Sequence, residues 1–328
     1  MIFDLDKYRS VAIVGMAKNV GKTVTLNHLI SALRGSGKRV AVTSIGLDGE
    51  GLDQVTRTAK PEITLYEGMV VTTAEQQYRG RQLTAEILDI GGRMTSVGRL
   101  ITARVRVPGK VIITGPADTA SLQSLLEGYS RFDVNLALVD GALSRLSPAS
   151  PTVTDAMILA TGAALSANIA DVAKQTKYIC QLITLDLVDD ELRNICCRLG
   201  RGVWKILNDG LAERCGETAL SGEIPEISDG VKALYICGAI GNNFVERLRM
   251  QQKSVDLVVP DFTKIFVTQD CHALLQRSKV KLKVLYSSRL LGLTVNPWSP
   301  RGFSFDSEEL RQRIEDSTGV KTYDVMKL

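Results

Sequence analysis

The residues best able to do chemistry lie together in VAIVGMAKNVGKTVTLNHLI, residues 11 to 30. Gly15 is followed by five residues, Met16 to Val20, and then by Gly21, Lys22 and Thr23. A glycine, a spacer and Gly-Lys-Thr, set between a strand and a helix, is the make-up of a phosphate-binding loop. Its backbone N–H groups point inward and the helix N-terminus adds partial positive charge, so it holds phosphates. Lys22 would reach the β- and γ-phosphates, and the Thr23 hydroxyl would ligate Mg²⁺. Gly21 would let the backbone come close without a Cβ in the way. The common spacer is four residues, so this loop is one residue longer. The residues expected to hold a nucleotide are Gly15, Lys18, Asn19, Val20, Gly21, Lys22, Thr23 and Val24.

Acids at strand tips downstream are the other half of such a site. The apolar run 133 to 139 ends in Asp140-Gly141-Ala142, and an acid there is the expected second magnesium anchor. The alternative is a plain Asp-Gly turn at a strand end. RVAVTSI, residues 39 to 45, runs into GLDGEGLD, where Asp48 is the first acid, with Glu50 and Asp53 behind it. A polar glycine-rich turn is the alternative there. The expected metal set is Thr23, Asp48 and Asp140, and the expected catalytic set is Lys22, Asp48 and Asp140.

These residues need a scaffold, and the pattern supplies one. SVAIVGM reads as a buried parallel strand. Val24, Leu26, Leu29, Ile30 and Leu33 recur at helical spacing until Gly35 and Gly37 stop the helix. Residues 55 to 109 read as β-like stretches with one short helix near 74 to 80, a β-rich insertion suited to substrate or partner recognition. A strand over 110 to 114 then leads to a helix capped near Asp118 or Thr119. Asp155 to Leu165 and the stretch from Asn168 read as helices, as does LVDDELRNICCRL. The last hundred residues alternate strand and helix again and end in LTVNPWSP. The expected fold is α/β, a doubly wound and mostly parallel sheet. Its expected parts are residues 1–54, the insertion 55–109, a continued core with a helical segment over 110–220, and a C-terminal part over 221–328 that completes the nucleotide-binding fold.

The loop with its five-residue spacer resembles that of dethiobiotin synthetase, within the wider class of P-loop NTPases that includes MinD, nitrogenase iron protein and MobB. In this class the chain after the second strand brings an acid to the magnesium and the attacking water, which points to Asp48. The MinD-type signature lysine would fall on Ala17; Lys18 is one place late. VDGALSRLSP also resembles the stretch VEGAGG of dethiobiotin synthetase, with Asp140 in place of the glutamate, although Leu143 and Ser144 replace the glycine pair. An asparagine at a late strand end contacts the nucleotide base in that enzyme, and Asn296 fits the role; a simple Asn-Pro turn is the other reading. GMAKNVGKTVTLNHLI, VDGALSRLSPASP and VNPWSP together resemble the accessory proteins encoded beside cobalamin-dependent lysine 5,6-aminomutase, which are thought to act in its reactivation. No Asp-x-His-x-x-Gly is present, so the chain would be a helper and not the mutase.

Composition narrows the rest. Apolar residues make up 45% of the 328 and charged residues 23%, a globular balance. A net charge of +4 without any basic run gives no case for nucleic acid. No apolar run approaches the roughly 20 residues that span a bilayer, and MIFDLDKYRS lacks a signal peptide's apolar centre, so a cytoplasmic protein is expected. Six scattered cysteines without a C-x-x-C pair, and two histidines, speak for reduced thiols and against zinc. The resulting expectation is a Mg²⁺-dependent ATP- or GTP-binding NTPase, an accessory protein to a partner enzyme. A homodimer is compatible with it. The alternative is an ATP-dependent ligase of the dethiobiotin synthetase type.

Overall fold

The computed structural model describes residues 3–45, 62–142, 149–220 and 224–327. In chain order the elements are β1 (Ser10–Gly15), α1 (Lys22–Leu33), β2 (Val40–Ser44), β3 (Ile63–Leu65), β4 (Val70–Ala74), α2 (Glu75–Arg79), β5 (Gln82–Thr95), β6 (Gly98–Val111), α3 (Thr119–Gly128), β7 (Leu136–Ala142), β8 (Ala156–Gly162) and α4 (Ile169–Ile183). There follow α5 (Asp190–Cys196), β9 (Gly202–Leu207), β10 (Ala212–Gly216), β11 (Val231–Cys237), β12 (Ile240–Gly241), α6 (Asn242–Met250), β13 (Val255–Val259), β14 (Ile265–Phe266), α7 (Gln269–Gln276) and β15 (Val280–Val284). The chain ends in β16 (Leu290–Asn296), α8 (Ser307–Thr318) and β17 (Thr322–Asp324). It divides into two compact units, Met1–Thr176 with Arg289–Leu328, and Lys177–Ser288.

The first unit is a mixed α/β structure on one large, mostly parallel sheet. Its strand order is β17-β16-β8-β1-β7-β2-β4-β6-β3, with β5 also paired to β6. From β17 to β4 every pairing is parallel, and β6 pairs antiparallel with β4, β3 and β5. α1 buries Leu26, Leu29, Ile30 and Leu33, one stripe at helical spacing, against Val11 and Ile13 of β1, Val42 of β2 and Leu138 of β7. Each such side chain contributes about 1.5–3 kcal/mol through burial. The alternate residues of the same strands face the other way: Val139 packs with Leu122 of α3, and Ala41 and Ala137 pack with Tyr129. The Tyr129 ring is buried and its hydroxyl donates to Thr72 Oγ1 at 2.8 Å, as a buried phenol needs.

The second unit has its own sheet, in the order β10-β9-β11-β13-β15. β11, β13 and β15 run parallel, and the β9–β10 hairpin lies antiparallel beside them. Its core gathers Leu192, Cys196, Ile206, Tyr235, Val258 and Leu285. All six cysteines are free thiols. Burial pushes the Cys180 and Cys196 thiols up to about 12.

Three expectations are corrected. Asp155 to Leu165 is not a helix: Ala156–Gly162 is β8, buried at every position. A short, continuously apolar run carries no period to distinguish a buried strand from a helix, and β8 is such a run. The strand expected over 110 to 114 is the tail of the 14-residue β6, which ends at Val111 and runs antiparallel. The strands between 231 and 284 do not extend the large sheet, since the chain rejoins it only from Arg289. Residue pattern marks a strand but not the sheet it will join. The β9–β10 hairpin, turning at Asn208-Asp209-Gly210 with Gly210 at φ 84°, was also present in the sequence as a turn signal without being read as one. Among the described residues no helix is long and apolar enough to cross a membrane.

Candidate functional site

β1 lies between β7 and β8, all parallel, so three carboxyl ends come level at the middle of the sheet. Gly15 pairs with Ala142 on one side and Ala160 on the other. One strand further, Asn296 at the end of β16 pairs with Gly162. The carboxyl edge of a parallel sheet is where open α/β folds bind ligands.

The loop from Gly15 to Lys22 is held at both ends and curled in between. Met16 N–H donates to Ala160 O at 2.9 Å. Asn19 and Gly21 both adopt left-handed backbone, at φ 62° and 88°, on either side of the buried Val20 side chain. Such alternation turns successive N–H groups toward one concavity. Gly21 is also the N-cap of α1, with no side-chain cap, and the first helical turn carries no acid. The first N–H groups of the helix have no partner within it, and the helix dipole favours an anion at that end.

Lys22 is the most informative residue. A Cβ built on Gly15 would stand 2.6 Å from both Cγ and Cδ of Lys22 and 2.8 Å from Val20 Cγ2. The lysine stem therefore runs back across the tip of β1, over the loop's own mouth. A Cβ at residue 15 would clash with that stem and with Val20, so a glycine suits the position. Thr23 is half-buried at the second helical position, and Val24 is exposed on the outer side, so it can offer the site only its backbone. Lys18 is exposed on the loop.

Asp140 sits two residues before the end of β7, paired with Ile13 of β1 and Ser44 of β2. Paired residues point to the same face of a sheet, and Ile13 packs under α1, so Asp140 is on the α1 face near the carboxyl edge. It is half-buried. The structure thus brings Gly15, Lys22, Thr23 and Asp140 to one end of two adjacent strands. Asp48, Glu50 and Asp53, with Leu143 and Ser144, lie outside the described residues.

Asn296 holds the loop. Its Nδ2 donates to Asn19 O at 2.8 Å, and its Oδ1 accepts from Trp298 N–H at 3.1 Å. Three further residues that sequence reasoning missed do similar work. Thr25 Oγ1 is hydrogen-bonded to Gly21 O at 3.1 Å and to Thr294 Oγ1 at 3.0 Å, tying the first turn of α1 to β16. Val325 stands against Gly21, where a Cβ would meet its Cγ2 at 3.0 Å. Thr294 was reachable in the sequence: it is two residues from Asn296, on the same strand face. Among the described residues no group of three or more His, Cys, Asp or Glu side chains is gathered to hold a metal. No family model, curated protein or solved structure matches this chain.

Proposed function

We propose that the chain is a P-loop NTPase of doubly wound fold that binds Mg-ATP or Mg-GTP at the β1–α1 loop and hydrolyses it as a cytoplasmic accessory protein acting on a partner enzyme. The observation that carries this reading is the Lys22 stem lying across Gly15, where a Cβ would be 2.6 Å away. A lysine that served only as a solvated helix residue would have no reason to lie there. The uncapped, acid-free start of α1 supports the same reading, because such a helix start suits phosphate.

Bound Mg²⁺ would supply charge to the phosphate oxygens. Thr23 and Asp140 are the described residues that would hold it, directly or through water, with Asp48 a further candidate. Lys22 would bind the β- and γ-phosphates and offset charge that builds as the terminal phosphoryl group moves. Gly21 and the first N–H groups of α1 would orient the chain of phosphates. The resemblance names the partner of this reading as a cobalamin-dependent aminomutase.

The ligase reading is favoured by one observation, Asp140-Gly141-Ala142 in register with Ile13-Val14-Gly15 beside the long loop. Against it, both ends of the Asn296 amide are engaged within the protein. The test is melting temperature with Mg-ATP and Mg-GTP, followed by phosphate release, for wild type and Lys22→Ala. Wild type should shift and Lys22→Ala should not. An equal shift in both would place nucleotide elsewhere and end the reading.

A further inference from the structure

We propose that the outer edge of β5, with the groove between it and α2, docks an extended, acidic and apolar segment of a protein partner. The proposal deepens the accessory reading above by naming the surface that meets the partner.

Among the described residues β5 pairs only with β6, with register shifts along the pairing, so its other edge is left without a strand partner. An unpaired edge is a template for an added strand. Beside it lies a groove of about 540 Å³. The ring of Tyr78 and the side chains of Ile87, Ile90 and Met94 line it. Ile87, Ile90 and Met94 are 47%, 50% and 65% exposed, three large apolar residues on one stretch of strand, which is more than scattered surface apolarity.

Charge selects the occupant. Arg79, Arg81 and Arg99 line the groove, against one acid, Glu75, which pairs with Arg79. The guanidinium of Arg81 stacks over the Tyr78 ring at 3.8 Å and donates to Tyr78 O at 2.7 Å, so it is held in place without a carboxylate. Arg99 is exposed and, among the described residues, has no carboxylate partner. The acids of β5 belong to the other face. Glu86 and Asp89 pair in register with Arg104 and Thr102, whose side chains bond Phe132 O and Thr72 Oγ1 beside Tyr129. A second copy of the chain seated by two-fold symmetry would set these arginines near their own mates, which like-charge repulsion opposes. A segment that carries apolar and acidic residues at every second position, all on one face of the strand it adds, satisfies all three features: main-chain bonds to β5, apolar side chains over Ile87, Ile90 and Met94, and carboxylates toward the arginines.

The test uses the full chain and fluorescein-labelled peptides read by anisotropy. One repeats Ile-Thr-Glu-Thr, so that Ile and Glu share one strand face, a second carries Lys in place of Glu, and a third is the Ile/Glu peptide N-methylated at alternate amides so that one edge cannot bond. The Ile/Glu peptide should bind, and the other two should bind at least tenfold more weakly. Arg99→Glu and Ile90→Ser should each weaken the Ile/Glu peptide about tenfold, equivalent to about 1.4 kcal/mol. Both positions are exposed, and an unchanged melting curve confirms that each variant folds. Lys22→Ala should bind the peptide as wild type does, so failure at the nucleotide site leaves this test intact. Equal binding of the acidic and basic peptides, or wild-type affinity in Arg99→Glu, would overturn the proposal. So would a concentration-dependent dimer in sedimentation that Ile90→Glu dissolves, because a second copy would then be the occupant.

Discussion

Gly15→Ala is the sharpest perturbation of the loop, because its cost depends on where Lys22 lies. The new methyl would sit 2.6 Å from two carbons of the Lys22 stem and 2.8 Å from Val20 Cγ2. Val20 is 1% exposed and cannot retreat, whereas the lysine can swing outward. Overpacking of this kind costs about 1–3 kcal/mol. The displaced ammonium would also lose its charge-assisted bonds to phosphate, about 1.5–3 kcal/mol, or roughly ten- to a hundredfold in affinity. Wild type at a hundred times its dissociation constant gains about 2.7 kcal/mol from ligand, which for a unit of this size is roughly 5–10 °C of melting temperature. Gly15→Ala should lower the unliganded midpoint and lose most of that gain. Lys22→Ala removes the carbons that the methyl strikes. In the double variant the methyl should therefore cost less than it does in wild type, a coupling of about 0.5–3 kcal/mol by urea unfolding. If the two substitutions simply add, the stem does not lie over Gly15, and the central argument for the site fails.

Asp140→Asn keeps the size of the side chain and removes its charge; phosphate release should fall about a hundredfold or more while nucleotide-induced stabilisation weakens less. Asn296→Ala should cost about 1 kcal/mol of loop stability and weaken ATP and GTP alike; a changed ratio of the two affinities, measured by calorimetry, would mean that Asn296 contacts the base. Gly21→Ala puts a Cβ at φ 88° and 3.0 Å from Val325, and should lower stability by about 1–2 kcal/mol in a urea titration. In the second unit, burial holds the His272 imidazole below its ordinary value, so the folded state takes up its proton less readily than the unfolded chain. The unfolded chain takes up a proton below about pH 6.5, so the stability present above that pH is lost as pH falls, and His272→Gln should flatten the decline in melting temperature between pH 7 and 5.

The loop was legible because its residues are neighbours in sequence. Gly15, Gly21, Lys22 and Thr23 need only one strand and one helix to meet, and both carry strong periodic signals. Asp140 was legible for a related reason: it ends an apolar run, and a run of that kind joins a parallel sheet whose carboxyl ends align. What braces the loop was not legible in full. For Asn296 the sequence offers a contact to the nucleotide base or a plain Asn-Pro turn, and its bond to Asn19 spans 277 positions. Thr294 and Val325 meet the helix start only because β16 and β17 complete the sheet beside β8. That in turn requires 156–162 to be a strand, and AMILATG has no period that says so.

The same limit explains the second unit and the inserted strands. A strand's apolar pattern states that a face is buried, and leaves open what buries it. Residues 231–237, 255–259 and 280–284 have the pattern of strands in the large sheet, yet they form a sheet of their own whose core gathers Leu192, Ile206 and Tyr235. Ile87, Ile90 and Met94 come to one face of β5 through its register shifts, paired with Ala103, Ile101 and Arg99, yet they stand exposed beside an unpaired edge. In the first case Leu192 and Cys196 of α5 supply the cover. In the second, among the described residues, the chain supplies none. The exposed apolar face of β5 is then explained by a segment from outside it, and the arginines around the groove indicate the charge that segment should carry.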